Sequence, residues 1–368
     1  MEIEEKVYIW LSMTDMPINK LYDLVNSYSH LEDLWNVTHY DSHIMQYLDG
    51  SEFQELMNIR ANGRLERTIE KLSTSRIKYI TIDSPEYPEQ LKSLDMPPLI
   101  IYYIGDISLL KSRCFAIVGS RICTRYGKEQ TERFAQSISR AGFTIVSGLA
   151  EGIDGHAHEG VMKIKGKAIG VLAGGLDYIF PAINVQLARD VVNNGGLIIS
   201  EKAPDVEAKR YTFVQRNRII AGLSEGVLVT EAGKDSGALY TINFALDAGK
   251  DIFALPGNCN SLASEGSNFL IKQFYSCCVT KPEEIITTLN NNFEMKNLTH
   301  EQTKLDVKLT LKPEELQILE FVRTEDKHFD EILEKTQLDA KKLIGLLTTM
   351  EIRGLINKLP SNFYGIKD

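Results

Sequence analysis

The chain has 368 residues, 43% hydrophobic and 25% charged, with a net charge of −9. These proportions exclude a disordered or low-complexity chain, and the length exceeds one average domain, so two or three are expected. No apolar run approaches the ~18 residues of a membrane span, and the acidic start "MEIEEKVYIW" lacks the basic region of a signal peptide, so a cytoplasmic protein with no membrane partner is expected.

The acidic total conceals an uneven spread. Residues 1–110 hold 9 Lys+Arg against 18 Asp+Glu, residues 111–235 hold 17 against 13, and the remainder holds 15 against 19. A polyanion responds to the potential within a Debye length of ~10 Å, so the basic middle is compatible with a confined anion site. The five cysteines (Cys114, Cys123, Cys259, Cys277, Cys278) are odd in number and form no CxxC pair. They read as reduced, mostly buried thiols of a cytoplasmic protein.

In chain order, residues 1–75 show apolar spacing near 3.6, as in "INKLYDLVNSYSHLEDLWN", which predicts a small helical domain. Residues 76–113 are a lead-in whose strand-like ends flank proline-marked turns. From 114 to about 285, short apolar runs ("CFAIVG", "FTIVSG", "KAIGVLAGG", "GLIIS", "GVLVT", "DIFALPG") alternate with helical periods such as "GKEQTERFAQSISRAG" and "SGALYTINFALDAG". Apolar strands alternating with helices predict an α/β fold, a Rossmann-like doubly wound, mainly parallel sheet covered on both faces. Polar residues 286–310, including "NNNFEMKNLTHEQTK", read as a linker. Residues 311–368 read helix, helix, turn, helix and a short extended end, a winged-helix-like C-terminal domain or simply a small helical interaction domain. Its candidate recognition helix offers only Lys341, Lys342 and Arg353, few donors for reading bases.

In an open parallel sheet, ligands bind beyond the carboxyl ends of the strands. Those positions hold "GSR" (119–121), "SGLAEGID" (147–154), "GGLD" (174–177) and "EAGKDSGAL" (231–239). Glycines there would let backbone amides approach a phosphate. Neither G-x-G-x-x-G after the first strand nor a P-loop is present, so no dinucleotide or NTP fingerprint marks the edge. Two basic elements flank it. One is Arg121 with Arg125. The other is "AKRYTFVQRNRIIAG" (208–222), where Lys209, Arg210, Arg216 and Arg218 interleave with Tyr211 and Phe213. Guanidinium forks beside aromatic faces suit a flexible single strand. The competing reading is that Arg216 and Arg218 pair with local acids to pin a helix.

His156 and His158 of "SGLAEGIDGHAHEG" sit two apart, which on a helix beginning at Ile153 points the rings to different faces, unlike the i,i+4 of H-E-x-x-H. No nucleophile motif accompanies Asp154 or His158. The glycines, not the histidines, carry the signal, and neither a metal nor a catalytic residue is expected.

Over about residues 77–280 the chain resembles the DNA-processing protein A (DprA, or Smf) family. The motifs run in family order from "DSPEYPEQL" and "PPLIIYYIGD" through "AIVGSRICTRYG", "SGLAEGIDGHAHEG", "GGLDYIFPAIN" and "RNRIIAGLSEGVLVTEAGKDSGAL" to "ALPGN" and "GSNFLI". Val214 departs from the proline usual before "RNR". The flanks resemble the family's sterile-alpha-motif-like or helix-hairpin-helix domain and its winged helix. The resemblance implies a non-enzymatic, cofactor-free homodimer that binds single-stranded DNA and loads RecA in natural transformation and recombination. Carried over by position, Gly119, Ser120 and Arg121 would contact phosphate, and Lys209 (or Arg210) and Phe213 would flank the strand. With the neighbouring candidates Arg125, Gly148, Arg216, Asn217, Arg218, Ser236 and Gly237, these form the expected DNA-binding set. The rival class is a nucleotide phosphoribohydrolase-type enzyme with P-G-G-x-G-T-x-x-E; "EAGKDSGALYT" lacks its double glycine and final glutamate.

Overall fold

The six apolar runs become parallel strands because each buries both of its faces. In β3 (Cys114–Val118), Phe115 and Ile117 enter one core while Cys114, Ala116 and Val118 enter the other, the period-2 alternation of a strand covered on both sides. The computed structural model describes residues 1–302, 313–322, 325–352, 355–359 and 362–366. They divide into two units, Met1–Asn292 and Phe293–Asp368.

The first unit opens with five helices: α1 (Ile3–Ser12), α2 (Ile18–Asn26), α3 (Leu31–Trp35), α4 (Gly50–Ala61) and α5 (Arg64–Thr74). The lead-in supplies β1 (Lys78–Thr81), α6 (Glu89–Lys92) and β2 (Ile100–Gly105). After β3 come α7 (Arg125–Arg140), β4 (Thr144–Ser147), α8 (Ile153–Lys163), β5 (Ala168–Val171), α9 (Val185–Asn193) and β6 (Leu197–Ser200). Then follow α10 (Arg210–Leu223), β7 (Gly226–Val229), α11 (Ala238–Asp247), β8 (Asp251–Ala254), α12 (Glu265–Lys272), β9 (Cys277–Cys278) and the first half of α13 (Pro282–Gln302). The sheet runs β1-β2-β6-β5-β4-β3-β7-β8-β9. Its seven strands from β6 to β9 are parallel, and β2 and β1 extend it antiparallel.

The N-terminal helices do not pack as a separate body. Val7, Trp10 and Leu11 share one hydrophobic cluster with Tyr102, Phe115 and Phe134. Polar contacts cross the same seam: Ser12 Oγ lies 2.8 Å from the Tyr102 hydroxyl, the Ala203 amide donates to Ser12 O at 3.2 Å, and the buried Lys202 ammonium donates to Thr14 O at 3.1 Å.

Two expectations need correction. The stretch read as a linker is helical as far as Gln302, because Ile285 and Leu289 recur at helical spacing and are fully buried; residues 303–312 lie outside the described residues. Of the five free thiols only Cys114 is buried; Cys123 is intermediate and Cys259, Cys277 and Cys278 are exposed. Their neighbours explain it: Cys277 and Cys278 sit on the edge strand β9, which has a partner on one side only.

The second unit holds α14 (Pro313–Val322), β10 (Lys327–His328), α15 (Phe329–Thr336), α16 (Ala340–Ile352), β11 (Ile356–Leu359) and β12 (Phe363–Ile366), with a β10-β12-β11 antiparallel sheet, the winged-helix arrangement. Ile318, Ile332, Leu343, Leu347, Ile356 and Tyr364 form its core. On α16, Lys342 is engaged by Glu314 at 2.9 Å, and Arg353 lies outside the described residues.

Trp10 is fully buried, donates its indole N–H to Leu56 O at 2.8 Å and stacks beside Arg60. Trp10→Ala is expected to cost about 3–5 kcal/mol. Because the core is shared, that loss is expected to shift the unfolding of residues 1–292 as one transition. Urea titrations followed by far-UV circular dichroism and by tyrosine fluorescence would then coincide. An early, separate loss of helix signal would contradict the shared core.

Candidate functional site

The chain leaves β3 for β4, β5 and β6 on one side and returns to β7 on the other. The carboxyl ends of β3 and β7 therefore diverge into a cleft, the switch point at which open α/β sheets bind ligands. The "GSR" loop follows β3 here, and "EAGKDSG" follows β7.

Glu231 stitches the two loops together. Its buried carboxylate accepts the Thr124 amide at 2.8 Å and the Thr124 hydroxyl at 2.6 Å, and its carbonyl accepts the Ser120 amide at 2.8 Å. The Ser120 hydroxyl in turn accepts the Gly233 amide at 3.2 Å. Gly119 is required because a Cβ there would come within 2.6 Å of Glu231 O and 2.5 Å of Ile153. The glycine loops were expected to present amides to a phosphate. Instead the Ser120 amide is given to Glu231, and the Gly148 amide to Asp154 Oδ2 at 3.0 Å. Gly148 leaves space for the Arg216 guanidinium, 2.4 Å from where its Cβ would stand.

Arg216 and Arg218 are likewise turned inward, correcting their assignment to a strand. Arg216, 4% exposed, donates to Gly148 O at 2.7 Å and to Val171 O, beside buried Asp154. Burial draws its pKa down to about 10 against the opposing pull of Asp154. Arg218, 3% exposed, pairs with Glu201 at 2.5 Å. Helical spacing explains Arg216: Thr212, Arg216, Ile219 and Leu223 share one buried side of α10, whereas Arg210, Phe213 and Asn217 lie on the side left open; Arg218, two residues on, is buried on a different side against Glu201. The alternating "RNR" text shows arginines but not this phase.

The open side is small and specific. Arg121 is exposed and lays its guanidinium over the Phe213 ring, 4.9 Å from the centroid. Phe180, from the loop after β5, meets Phe213 edge-on with centroids 5.9 Å apart. Arg210 is exposed and makes no ion pair among the described residues. Lys209 is not free: its ammonium pairs with Asp15 of the N-terminal helices, and the Tyr211 hydroxyl donates to Asp15 O at 2.8 Å. Arg125, 90% exposed, pairs with Glu129 at 2.6 Å on its own helix. Asn217 Nδ2 donates to Gly237 O at 3.3 Å, joining α10 to the β7 loop. Ser236 Oγ accepts the Ala238 amide at 3.3 Å, and no protein atom lies within 4 Å of where a Cβ on Gly237 would stand, so a ligand can approach its backbone. Sequence reasoning missed Phe180, an unremarked aromatic in "GGLDYIFPAIN", and Lys234, an exposed cation of the β7 loop.

The two histidines do part company on α8. His158 is fully buried, its pKa pushed down to about 4 by burial, with the Arg216 charge adding to the effect. His156 faces the other way and meets Glu159 at 2.8 Å. With Glu132 these ligand atoms lie within 4.8 Å of one another, but Lys163 already neutralises Glu132 at 2.5 Å. Asp154 is buried and holds the Gly148 amide, so neither Asp154 nor His158 is presented to a reactant in the cleft.

Residues 78–290 match the family model described as DNA recombination-mediator protein A, and residues 304–362 match the model of the DprA winged helix domain. Protein Smf of Escherichia coli is 36% identical over 293 residues, covering 78% of this chain and 77% of its own. Among solved structures, DNA processing protein A of Streptococcus pneumoniae is 29% identical with a TM-score of 0.64, over 78% of this chain and 98% of that one. That of Helicobacter pylori, described for its single-stranded DNA binding mode, is 31% identical with a TM-score of 0.53, over 58% of this chain and 96% of that one.

The neutral His158 makes stability depend on pH. Its folded pKa of about 4 lies below the ordinary 6.5, so between those values the unfolded chain binds the extra proton. The stabilisation is fully present above pH 6.5 and is lost as pH falls toward 4, by about 3 kcal/mol in all. Asp154, raised by burial, acts in the opposite sense at the acid end. Urea midpoints at pH 7, 6 and 5 should therefore fall more steeply for the natural chain than for His158→Gln. Equal slopes would place a charged imidazole in the core.

Proposed function

Because the chain belongs to the DNA recombination-mediator protein A family, we propose that it binds single-stranded DNA in the β3–β7 cleft and acts there as a recombination mediator. The observation that carries this reading is the exposed Arg121 guanidinium stacked on Phe213 at the switch point, with Arg210 exposed on the same open side of α10. A guanidinium held over a ring is aimed without being neutralised, so it can fork onto a phosphate. The open approach at Gly237 and the nearby Ser236 and Lys234 give the backbone of a strand a second wall. Gly119, Ser120, Gly148, Arg216, Asn217 and Arg218 serve this site by shaping it rather than by touching the strand. The single-stranded DNA binding described for the Helicobacter pylori protein supports the same ligand class.

On this reading the protein is a binding protein, and the buried Asp154 and His158 are structural. The partners are single-stranded DNA, RecA, which it would load onto the strand in the cytoplasm during recombination or natural transformation, and a second copy of the chain. The domains divide accordingly: residues 1–75 brace the cleft, 76–285 bind DNA, and 311–368 form an accessory winged helix. Leu270 packs into the sheet, whereas Phe269, Phe274 and Tyr275 face outward, Phe274 at 93% exposure; these three are the surface through which a two-fold dimer would close.

Arg121→Ala should weaken binding of an oligothymidylate by roughly 10- to 150-fold, the loss of one charge-assisted hydrogen bond of about 1.5–3 kcal/mol, with an unchanged melting temperature. Its plot of log K against log salt should also be shallower by roughly 0.7. Unchanged affinity would remove Arg121 from the interface and the reading with it. For assembly, light scattering over a concentration series should give two copies for the natural chain and one for Phe274→Glu. A natural chain that stays monomeric would refute the pairing.

A further inference from the structure

The loop between β5 and α9 carries three large apolar side chains in solvent: Tyr178 at 48%, Phe180 at 56% and Ile183 at 76% exposure. This is not a loop awaiting a place to pack. The Gly175 amide donates to Val206 O at 2.7 Å and the Asp177 amide to Pro204 O at 3.0 Å. Asn184 Nδ2 donates to Leu149 O at 2.9 Å and to Ala150 O at 3.0 Å, and Lys71 pairs with Asp177. A loop pinned at both ends and in the middle holds its aromatics outward by construction, and a fixed exposed apolar patch beside a cationic cleft marks a recognition surface.

We propose that Phe180, not Phe213, supplies the face on which an unpaired base stacks, an inference that rests on the reading of the cleft as a single-stranded DNA site. Phe213 is half-buried, one face lies under the Arg121 guanidinium, and it packs T-shaped against the Phe180 ring, with the planes at 69°. It is a pedestal for its two neighbours. Phe180 is the more exposed of the two rings, at 56%, and the guanidinium that would take the adjoining phosphate shares the same support. A nucleotide offers that pair of chemistries, a π-face and an anion, in one unit. Every base has such a face, so the contact tolerates any sequence, and it requires bases not already stacked in a duplex. Phe213 is then a positioning residue for both groups.

The test compares an oligothymidylate with an abasic tetrahydrofuran oligomer of the same length, using the full chain. The natural chain should bind the base-bearing strand about tenfold more tightly than the abasic one, within the range of one base–aromatic stack. Phe180→Ala should lose that increment and leave abasic binding unchanged, whereas Phe180→Trp should keep it. Phe213→Ala should weaken both strands, because Arg121 loses its support. A Phe180→Ala chain that retains the full increment, or that weakens both strands equally, overturns the proposal while the single-strand site stands. A natural chain that binds neither strand overturns the site itself.

Discussion

The buried Arg216 guanidinium is the contact on which the geometry of the cleft depends. It reaches from α10 to the carbonyls of Gly148, just after β4, and Val171, the last residue of β5, and sits beside Asp154 at the start of α8. A charge taken out of water is costly unless its hydrogen bonds and counter-charge are supplied, and here two carbonyls and one carboxylate supply them. Three segments must therefore keep their places for this group to be tolerated. Gly148 makes the arrangement sterically possible, since any Cβ would occupy the space of the guanidinium. With α10 fixed in this rotation, Arg210, Phe213 and Asn217 are left on its open side, facing the cleft.

A second layer of restraint comes from the N-terminal helices. Asp15 holds Lys209, Arg64 holds Asp205 at 2.7 Å, and Lys71 holds Asp177, so one helical segment grips both the β5–α9 loop and the segment leading from β6 into α10. Each exposed ion pair contributes little by itself, typically about 0–1 kcal/mol. The grip comes from the shared core beneath, where α1 packs against β2 and Ser12 meets Tyr102. The ion pairs then act on register. This also alters the role of Lys209, whose charge is partly spent on Asp15: a phosphate arriving there competes with a carboxylate already in place.

The strands were legible because burial on both faces leaves an unbroken apolar run, and "CFAIV", "TIVS" and "GVLV" have no other use. The glycines were legible as a cluster, but not in purpose. Glycine admits any close neighbour, and text alone cannot tell an incoming phosphate from the Arg216 guanidinium or the Glu231 carbonyl. The arginines of "RNR" failed for a related reason: a basic run states charge, while burial depends on helix phase, and the phase was fixed by apolar Ile219, Ile220 and Leu223 further along. Phe180 left no signal because an exposed aromatic and a core aromatic are written alike. The polar stretch after 286 concealed a helix whose two buried anchors, Ile285 and Leu289, lie at its beginning.

These placements also limit what one cleft can do. A nucleotide-triphosphate site binds through many backbone amides and a helix N-terminus turned to the ligand. Here the Ser120 and Gly148 amides are already given to Glu231 and Asp154, so on the proposed reading phosphate recognition would fall to a few side chains. Arg121, Arg210 and Lys234 are the exposed cations of the cleft loops without an ion pair among the described residues. So short an inventory fits a ligand whose charges are spread along a chain better than one whose charges are concentrated at a point. It also implies weak holding by any single cleft, on the order of 10⁻⁴–10⁻⁶ M for non-specific contacts. A long strand that engages a second cleft does so at high effective concentration, which can raise avidity by about 10²–10⁴ without a new contact. On the proposed single-strand reading, the economy of the site would be offset by pairing through the outward aromatic surface at Phe274, with affinity assembled from copies rather than built into one pocket.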